Sequence, residues 1–381
     1  MEYQLNTKCV HGNRDSRFFD HTGAISYPIY QSATFAHPGV GASTGYDYSR
    51  LQNPTREQLE KVVAALENGY DALAFSSGMA AMGALMEIFQ PGDHLLASED
   101  LYGGSIRIFN HINQKNGVAI DYVDTSDLPS IIPKIKECTK ALFIETPTNP
   151  MMNVTDLRAA AAIAREHGLL LIVDNTFLSP YLQNPITLGA DIVVHSGTKF
   201  LGGHNDTLAG FLVVASQELS EKLRFVFKTT GACLSPFDSW LLLRGIKTLS
   251  LRIERQESNA SIIADWLTKH PRVKKVYYVG LPFHPAYHIN QQQARGSGSM
   301  ISFHVDTEET AIKLLESLHT IQYAESLGGV ESLITYPMLQ THADVPEVER
   351  EAKGINRTLL RLSVGIEHID DLITDLTQAL Q

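Results

Sequence analysis

Cysteine is scarce in this chain: three among 381 residues, Cys9, Cys138 and Cys233, an odd number set far apart and without C-x-x-C spacing. That pattern supports neither a disulfide framework nor a structural zinc site, and a reducing cytoplasm is the compartment it fits. Long apolar runs are lacking too. The most apolar stretch, GLLLIV at 168–173, falls far short of the about 18 to 20 residues a membrane-spanning helix needs. The opening MEYQLNTKCVHGNRD mixes charges and polar groups where a signal peptide would carry an apolar segment, so no export signal is expected. Nor is there an excess of positive charge. The 31 Lys and Arg stand against 42 Asp and Glu, for a net charge of −11 spread along the chain, which argues against a phosphate backbone as partner. Neither the Walker pattern nor G-x-G-x-x-G occurs, so nucleotide-binding enzymes lose ground. The expectation is a soluble protein with no membrane and no nucleic-acid partner.

What is present suits a packed enzyme. Apolar residues make up 44% of the chain, with 27 Gly and 16 Pro. At 42.1 kDa, surface scaling leaves roughly 15,000 Å² exposed out of roughly 61,000 Å² for the unfolded chain. Burial alone can therefore sustain the fold.

The chain divides into three stretches. Residues 1–54 lack sustained periodicity and read as an arm. After Pro54, Thr55 and Gln58 form a plausible capping box, followed by Leu59, Val62, Val63 and Leu66 at helical spacing up to Asn68-Gly69. Seven short apolar runs then alternate with helical stretches: ALAF (72–75), HLLA (94–97), VAIDYV (118–123), ALFIE (141–145), LLLIV (169–173), IVVH (192–195) and LAGFLVV (208–214). Strands apolar on both faces, alternating with helices such as 79–89 and 156–167, predict a mainly parallel sheet covered on both sides, an α/β domain over 55–236. From 237 to 381 the texture changes. A long helical stretch from Trp240 to His270 precedes strand-like KKVYYV (274–279), MISFHV (300–305) and LLRLSVG (359–365), a helix near Thr307 to Leu318 and a last helix toward Gln381. This order predicts a smaller C-terminal α+β domain.

In parallel α/β sheets ligands bind beyond the carboxyl ends of the strands, and four such ends are polar. Ser77-Gly78-Met79 opens a helix with free N–H groups that can receive an anion, though an ordinary helix cap reads the same way. Asp174 ends a strongly apolar strand, where an ionised carboxylate needs a partner; a turn aspartate is the plainer alternative. Lys199 follows another apolar strand within HSGTKFLGGH, where partial burial would lower its pKa and free the neutral amine. Most lysines are simply solvated, but Ser196 and Thr198 stand beside this one. Taken together these groups supply what pyridoxal phosphate needs: an amine for the aldehyde, an acid for the ring nitrogen, and donors for the phosphate.

The segments YDYSRLQNPTR (46–56), FSSGMAA (75–81), EDLYGG (99–104), ETPTNP (145–150), IVDNTF (172–177), HSGTKFLGGHND (195–206), AESLGGVESLITYP (324–337), TH (341–342) and RLSVGIE (361–367) resemble the trans-sulfuration family of pyridoxal-phosphate enzymes, the cystathionine synthases and lyases. The resemblance covers nearly the whole chain. It implies the aspartate aminotransferase-like fold (fold type I) with a mainly parallel seven-stranded sheet. By the same resemblance Lys199 would bond to the cofactor aldehyde and then shuttle protons between Cα, Cβ and the leaving group. Asp174 would keep the ring nitrogen protonated and Tyr102 would stack on the ring. Ser77, Gly78, Met79, Ser196 and Thr198 would hold the phosphate, joined by Tyr48 and Arg50 from a partner subunit. Arg361 would clamp the substrate α-carboxylate, with Asn149 and the main chain near Ser326 assisting. Tyr48 and Glu325 complete the expected substrate residues. The implied assembly is a homodimer with shared sites, inactive as a monomer, pairing into a homotetramer.

Family members cleave Cβ–S, cleave Cγ–S, or replace a γ leaving group by a thiol. Gly104 stands where methionine γ-lyases resemble one another in carrying cysteine, and Glu325 where they carry a small apolar residue. Glu325 suits instead a cationic group on the distal part of cystathionine or cysteine. The wording of GVGASTGYDYSR, LGGHND and 236–252 is most similar to bacterial cystathionine γ-synthases that also act as O-acetylhomoserine thiolyases. The resemblance thus implies γ-replacement on an O-acylhomoserine by cysteine or sulfide. Cystathionine γ-lyase is the alternative, and β-lyase or cysteine desulfhydrase follow. Gly197 departs from the alanine common before the Thr-Lys pair and is expected to loosen the loop slightly. A metallohydrolase based on His284 and His288 is disfavoured by Pro285 between them and by the lack of H-E-x-x-H, so no metal is expected. A non-catalytic cofactor sensor is disfavoured because no part of the proton-transfer set is missing.

Overall fold

The computed structural model describes residues 3–13, 23–340 and 347–381; Thr341 and His342 lie outside them. Seven strands form the larger sheet: β1 (Asp71–Phe75), β2 (His94–Ser98), β3 (Ala119–Val123), β4 (Thr139–Glu145), β5 (Leu170–Asp174), β6 (Ile192–Ser196) and β7 (Gly210–Val214). Their order is β1-β7-β6-β5-β4-β2-β3, parallel throughout except that β7 runs antiparallel to both β1 and β6. Each expected run is found within a residue or two of its expected ends. The central strands are apolar on both faces because both are covered. One core holds Leu142, Ile144, Leu171 and Val193 against the helices Pro54–Glu67 and Leu157–Glu166. The other holds Phe143, Ile172, Ile192 and Val194 against the helix Gly78–Met86.

The second sheet contains β8 (Val273–Tyr277), β9 (Met300–Val305), β10 (Gln322–Tyr323), β11 (Leu333–Thr335) and β12 (Leu359–Ser363), in the order β10-β11-β12-β9-β8. β10 and β11 are too short for periodicity to announce them. The expected long helix is two, Pro236–Ile246 and Leu249–Lys269, broken at Lys247-Thr248. Among the described residues no helix is long and apolar enough to cross a membrane.

One local expectation is corrected. The helix Pro54–Glu67 is capped by Asn53, whose side chain accepts from the N–H groups of Thr55 (3.0 Å) and Arg56 (3.4 Å), with Pro54 at the first helical position. Thr55 does not form the capping box. Its hydroxyl donates to the Pro28 carbonyl and accepts from the Tyr30 N–H, each at 2.9 Å, and so ties the arm to the helix. The other end behaves as expected: Asn68 takes the left-handed conformation, at φ +58°.

Candidate active site

The carboxyl ends of β1, β4, β5 and β6 open on one side into a cavity of about 340 Å³, within the range of small-ligand sites. Its lining includes Ser77, Gly78, Met79, Tyr102, Asn149, Asp174, Ser196, Thr198, Lys199, Glu325, Ser326 and Arg361. Twelve of the fourteen expected residues therefore converge, drawn from segments more than two hundred positions apart. Tyr48 and Arg50 do not line it. Arg50 instead donates to the Lys228 carbonyl, and Tyr48 is exposed.

Each strand end does separate work. After β1, Ser77 caps the helix Gly78–Met86, its hydroxyl accepting from the Ala80 N–H (3.0 Å), while Ala81 N–H goes to the Ser77 carbonyl (3.1 Å). The Gly78 and Met79 N–H groups, in the first turn of that helix, have no carbonyl within it to bond and stand at its positive pole. Gly210 keeps this turn in place: a Cβ there would lie 2.1 Å from the Ser77 carbonyl oxygen. After β6, the Ser196 N–H donates to Thr176 Oγ1 (2.9 Å). Thr198 Oγ1 donates to the Ala209 carbonyl (3.2 Å) and accepts from its N–H (3.1 Å).

Lys199 Nζ donates to Ser326 Oγ at 3.0 Å. Burial, then the charge of Arg361, pull its pKa down to about 8, with Glu325 opposing. Ser326 has φ +107°, a region that disfavours a residue with a Cβ. It is held there by Lys199 and by Arg361, whose NH2 group donates to the Ser326 carbonyl (3.2 Å). The other arm of Arg361 donates to Asn149 Oδ1 at 2.8 Å. Arg361 is only 2% exposed, and its Nε is a buried donor without a partner. Burial brings its pKa down to about 10, opposed by Glu145 and Glu325.

Glu145 was given no role by its position in the sequence. It ends β4 beside Asp174 at the end of β5, the two in register. It is 5% exposed, and its Oε2 accepts from the Tyr102 N–H at 2.9 Å. Burial and the neighbouring Asp174 hold its pKa well above the usual carboxylate range. Asp174 is also raised, by burial, against hydrogen bonds from Thr176 and the charge of His195. The signal for Glu145 was the one that picked Asp174, an acid closing an apolar strand. Thr176, Ser105 and Leu208 also line the cavity without a comparable signal.

Two glycines bear on earlier expectations. At Gly104 a Cβ would lie 2.3 Å from Tyr102 Cε1, so the absence of a side chain there lets the ring occupy that space. Gly197 does not loosen its loop. A Cβ there would lie 2.5 Å from Phe211 Cε2 and 2.9 Å from Ala209 Cβ, so the room of the missing methyl is already filled.

The donor set fits a phosphorylated pyridine aldehyde. The helix pole and the Ser196 hydroxyl lie side by side in the cavity lining, the donors an anion would need, and a side chain at Gly78 would intrude between them, meeting Ser196 at 3.3 Å. Asp174 and Lys199 offer the acid and the amine, and Arg361, which lines the cavity with three of its five N–H donors uncommitted, fits a carboxylate. None of the three cysteines lines the cavity. Among the described residues no cluster of three or more His, Cys, Asp or Glu stands ready for a metal; His284 Nδ1 accepts instead from the Ala286 N–H (3.2 Å).

Fold and site together define a pyridoxal-phosphate enzyme of fold type I. The chain belongs to the family described as Cys/Met metabolism PLP-dependent enzyme, whose model matches residues 6–381. A cystathionine γ-lyase of Bacillus subtilis is 50% identical over 94% of this chain and 95% of its own. A cystathionine β-lyase of Lactococcus lactis is 47% identical over 99% of both chains. The solved structure of a cystathionine γ-synthase from Xanthomonas oryzae in complex with cystathionine superposes with a TM-score of 0.96 at 40% identity, over 100% of this chain and 98% of that one. The protein is thus a C–S lyase or transferase of the trans-sulfuration kind.

Proposed function

We propose that the protein catalyses γ-replacement on an O-acylhomoserine: the thiol of cysteine bonds to the γ-carbon, the carboxylic acid departs, and cystathionine forms. Sulfide serves in place of cysteine. The observation carrying this reading is that Lys199, Arg361 and Glu325 line one cavity, so that an amine, an α-carboxylate clamp and a distal acid share one substrate.

Arg361, steadied by Asn149 and the Ser326 carbonyl, binds the substrate α-carboxylate. Bound pyridoxal phosphate supplies the electron sink for the carbanion at Cα. Lys199, with a pKa of about 8, is near the range in which an amine both takes and returns protons; it removes them from Cα and Cβ and hands one to the leaving group. Tyr102, fixed through its N–H by Glu145, stacks on the ring. Glu325 meets the ammonium of the incoming cysteine. The cradle at Ser77, Gly78, Met79, Ser196 and Thr198 holds the phosphate. Tyr48 and Arg50, which do not line their own chain's cavity, complete that of a partner copy, so the working unit is a homodimer; the family resemblance supports pairing of such dimers into a tetramer. Residues 55–236 carry the cofactor, 237–381 supply Arg361, and the sparse cysteines support a cytoplasmic setting.

A second reading, γ-elimination from cystathionine to cysteine, 2-oxobutyrate and ammonia, uses the same groups and is supported by the 50% identical γ-lyase. The purified protein is given O-acetylhomoserine with cysteine and, separately, cystathionine alone. Cystathionine formed in the first mixture is the expected result. 2-Oxobutyrate from the second without any synthesis would favour the lyase, and pyruvate would overturn both γ readings.

A further inference from the structure

Lys199, Ser326 and Arg361 stand on three segments that leave regular structure close to the cavity: the turn after Lys199, the loop after Ser326, and the chain that follows β12 beyond Arg361. The three segments lie side by side. The Val330 N–H donates to the Gly203 carbonyl (3.0 Å), and the Ile366 N–H to the Val330 carbonyl (2.9 Å). A buried carbonyl that has left helix or sheet needs a donor. Here donors for all three segments come from a single helix, Leu249–Lys269.

Arg252, Gln256 and Asn259 follow one another on that helix at i, i+4 and i+7, which places them on one face, and all three are buried. Packing alone would call for apolar side chains there. Instead each grips main chain. Arg252 donates through Nη1 to the Phe200 carbonyl (2.8 Å) and through Nη2 to the carbonyls of Leu201 (3.5 Å) and Gly245 (3.0 Å), with Nε on Thr248 Oγ1 (3.1 Å). Gln256 Nε2 donates to the Gly329 carbonyl at 2.7 Å. Asn259 Nδ2 donates to the carbonyls of Gly365 (3.1 Å) and Glu367 (2.9 Å). One side chain thus serves each segment. Stability alone would not favour this arrangement. A buried guanidinium whose partners are three carbonyls and a hydroxyl, with no carboxylate among them, is costly, and Gln256 leaves its Oε1 buried without a partner. None of the three lines the cavity, so any effect on the reaction passes through the segments they hold.

We propose that Arg252, Gln256 and Asn259 are positioning residues, a polar stripe that fixes the Lys199 turn, the Ser326 loop and the end of the Arg361 strand relative to one another. The inference rests on the reading of Lys199 as the cofactor's amine and of Arg361 as the carboxylate clamp. Each member of the stripe then acts on its own segment. Arg252→Lys keeps the charge but loses the fork, while Gln256→Met and Asn259→Leu keep the volume and lose the donor. Two measurements are made besides turnover. The rate at which apoprotein recombines with pyridoxal phosphate reports on Lys199, and the glycine concentration that half-saturates the change in the holoenzyme's visible band reports on the Arg361 clamp. Arg252→Lys is expected to slow recombination about tenfold and to leave the glycine midpoint within about twofold. Asn259→Leu should raise the midpoint about tenfold and leave recombination within about twofold. Gln256→Met, whose loop carries Ser326 between Lys199 and Arg361, should move both. Factors of this size match the loss of one or two hydrogen bonds. Asn259→Ser, too small to overpack the site, is the second route and should raise the midpoint about threefold. Wild-type values throughout, or losses in both measurements for every variant that only follow a fall in melting temperature, would overturn the proposal, because a purely structural role gives no reason for the two measurements to part. Arg361→Leu separates the inference from its premise. An unchanged glycine midpoint in R361L would overturn the reading of Arg361 as well, whereas a raised midpoint there beside wild-type midpoints in N259L and N259S would overturn the inference alone.

Discussion

Arg361 shows how little of a residue's role its charge alone conveys. Two of its five N–H donors go to Asn149 and the Ser326 carbonyl, and the remaining three, the unpartnered Nε–H among them, are uncommitted. The same charge helps bring Lys199 down to about 8, second to burial. Arg361→Leu is therefore expected to act twice. KM for the amino-acid substrate should rise about a hundredfold, the loss of a charge-assisted contact of about 3 kcal/mol. The pH midpoint for recombination of apoprotein with pyridoxal phosphate should move above about 8, because a lysine freed of a nearby positive charge keeps its proton to higher pH. Steady-state kinetics and stopped-flow reloading across pH read the two effects. An unchanged KM would remove Arg361 from substrate binding.

At the scale of elements, the site is assembled by strand ends rather than by any contiguous motif. Gly210, first residue of β7, packs against the carbonyl of Ser77, where the chain turns into the helix Gly78–Met86 proposed to face the phosphate. Gly210→Ala would set a Cβ 2.1 Å from that oxygen and 2.7 Å from Gly78 Cα. Cofactor affinity should fall at least tenfold while the far-ultraviolet spectrum is retained; equilibrium dialysis showing wild-type affinity would contradict the assignment of this cradle. The strands themselves were legible because parallel strands buried on both faces read as unbroken apolar runs. Asp174 and Lys199 were legible as polar residues closing or following such runs. Glu145 closes β4 in the same way but passed unassigned, because its weight comes from lying in register with Asp174, a property of pairing and not of local order. Thr55 looked like a cap for the same reason in reverse: Ser/Thr followed three residues on by Gln is a local signal, and the arm's contacts to Pro28 and Tyr30 took the hydroxyl elsewhere. At Gly197 the sequence shows only a missing methyl. That Phe211 fills the space is a tertiary fact.

For the molecule as a whole, the chain exposes 16609 Å², above the roughly 15,000 Å² expected of a compact monomer of this mass. The arm contributes to the difference: beyond its short helix Leu5–His11, Ile25 and Val40 are exposed and the described residues pair through isolated bridges such as Thr34 to Tyr48; surface of this kind supports the proposal that a second copy covers it. The net charge of −11 has no bearing on the cavity, where the helix pole, Lys199 and Arg361 face the expected phosphate and carboxylate. Everything proposed for the reaction depends on one covalent attachment, of pyridoxal phosphate to Lys199 out of all the lysines in the chain. The holoenzyme is reduced with borohydride, digested, and its peptides weighed. Loss of the visible band together with a phosphopyridoxyl mass on the peptide containing Lys199, and no such band in Lys199→Ala, is the predicted result; the mass on a peptide from elsewhere, or on none, would contradict it.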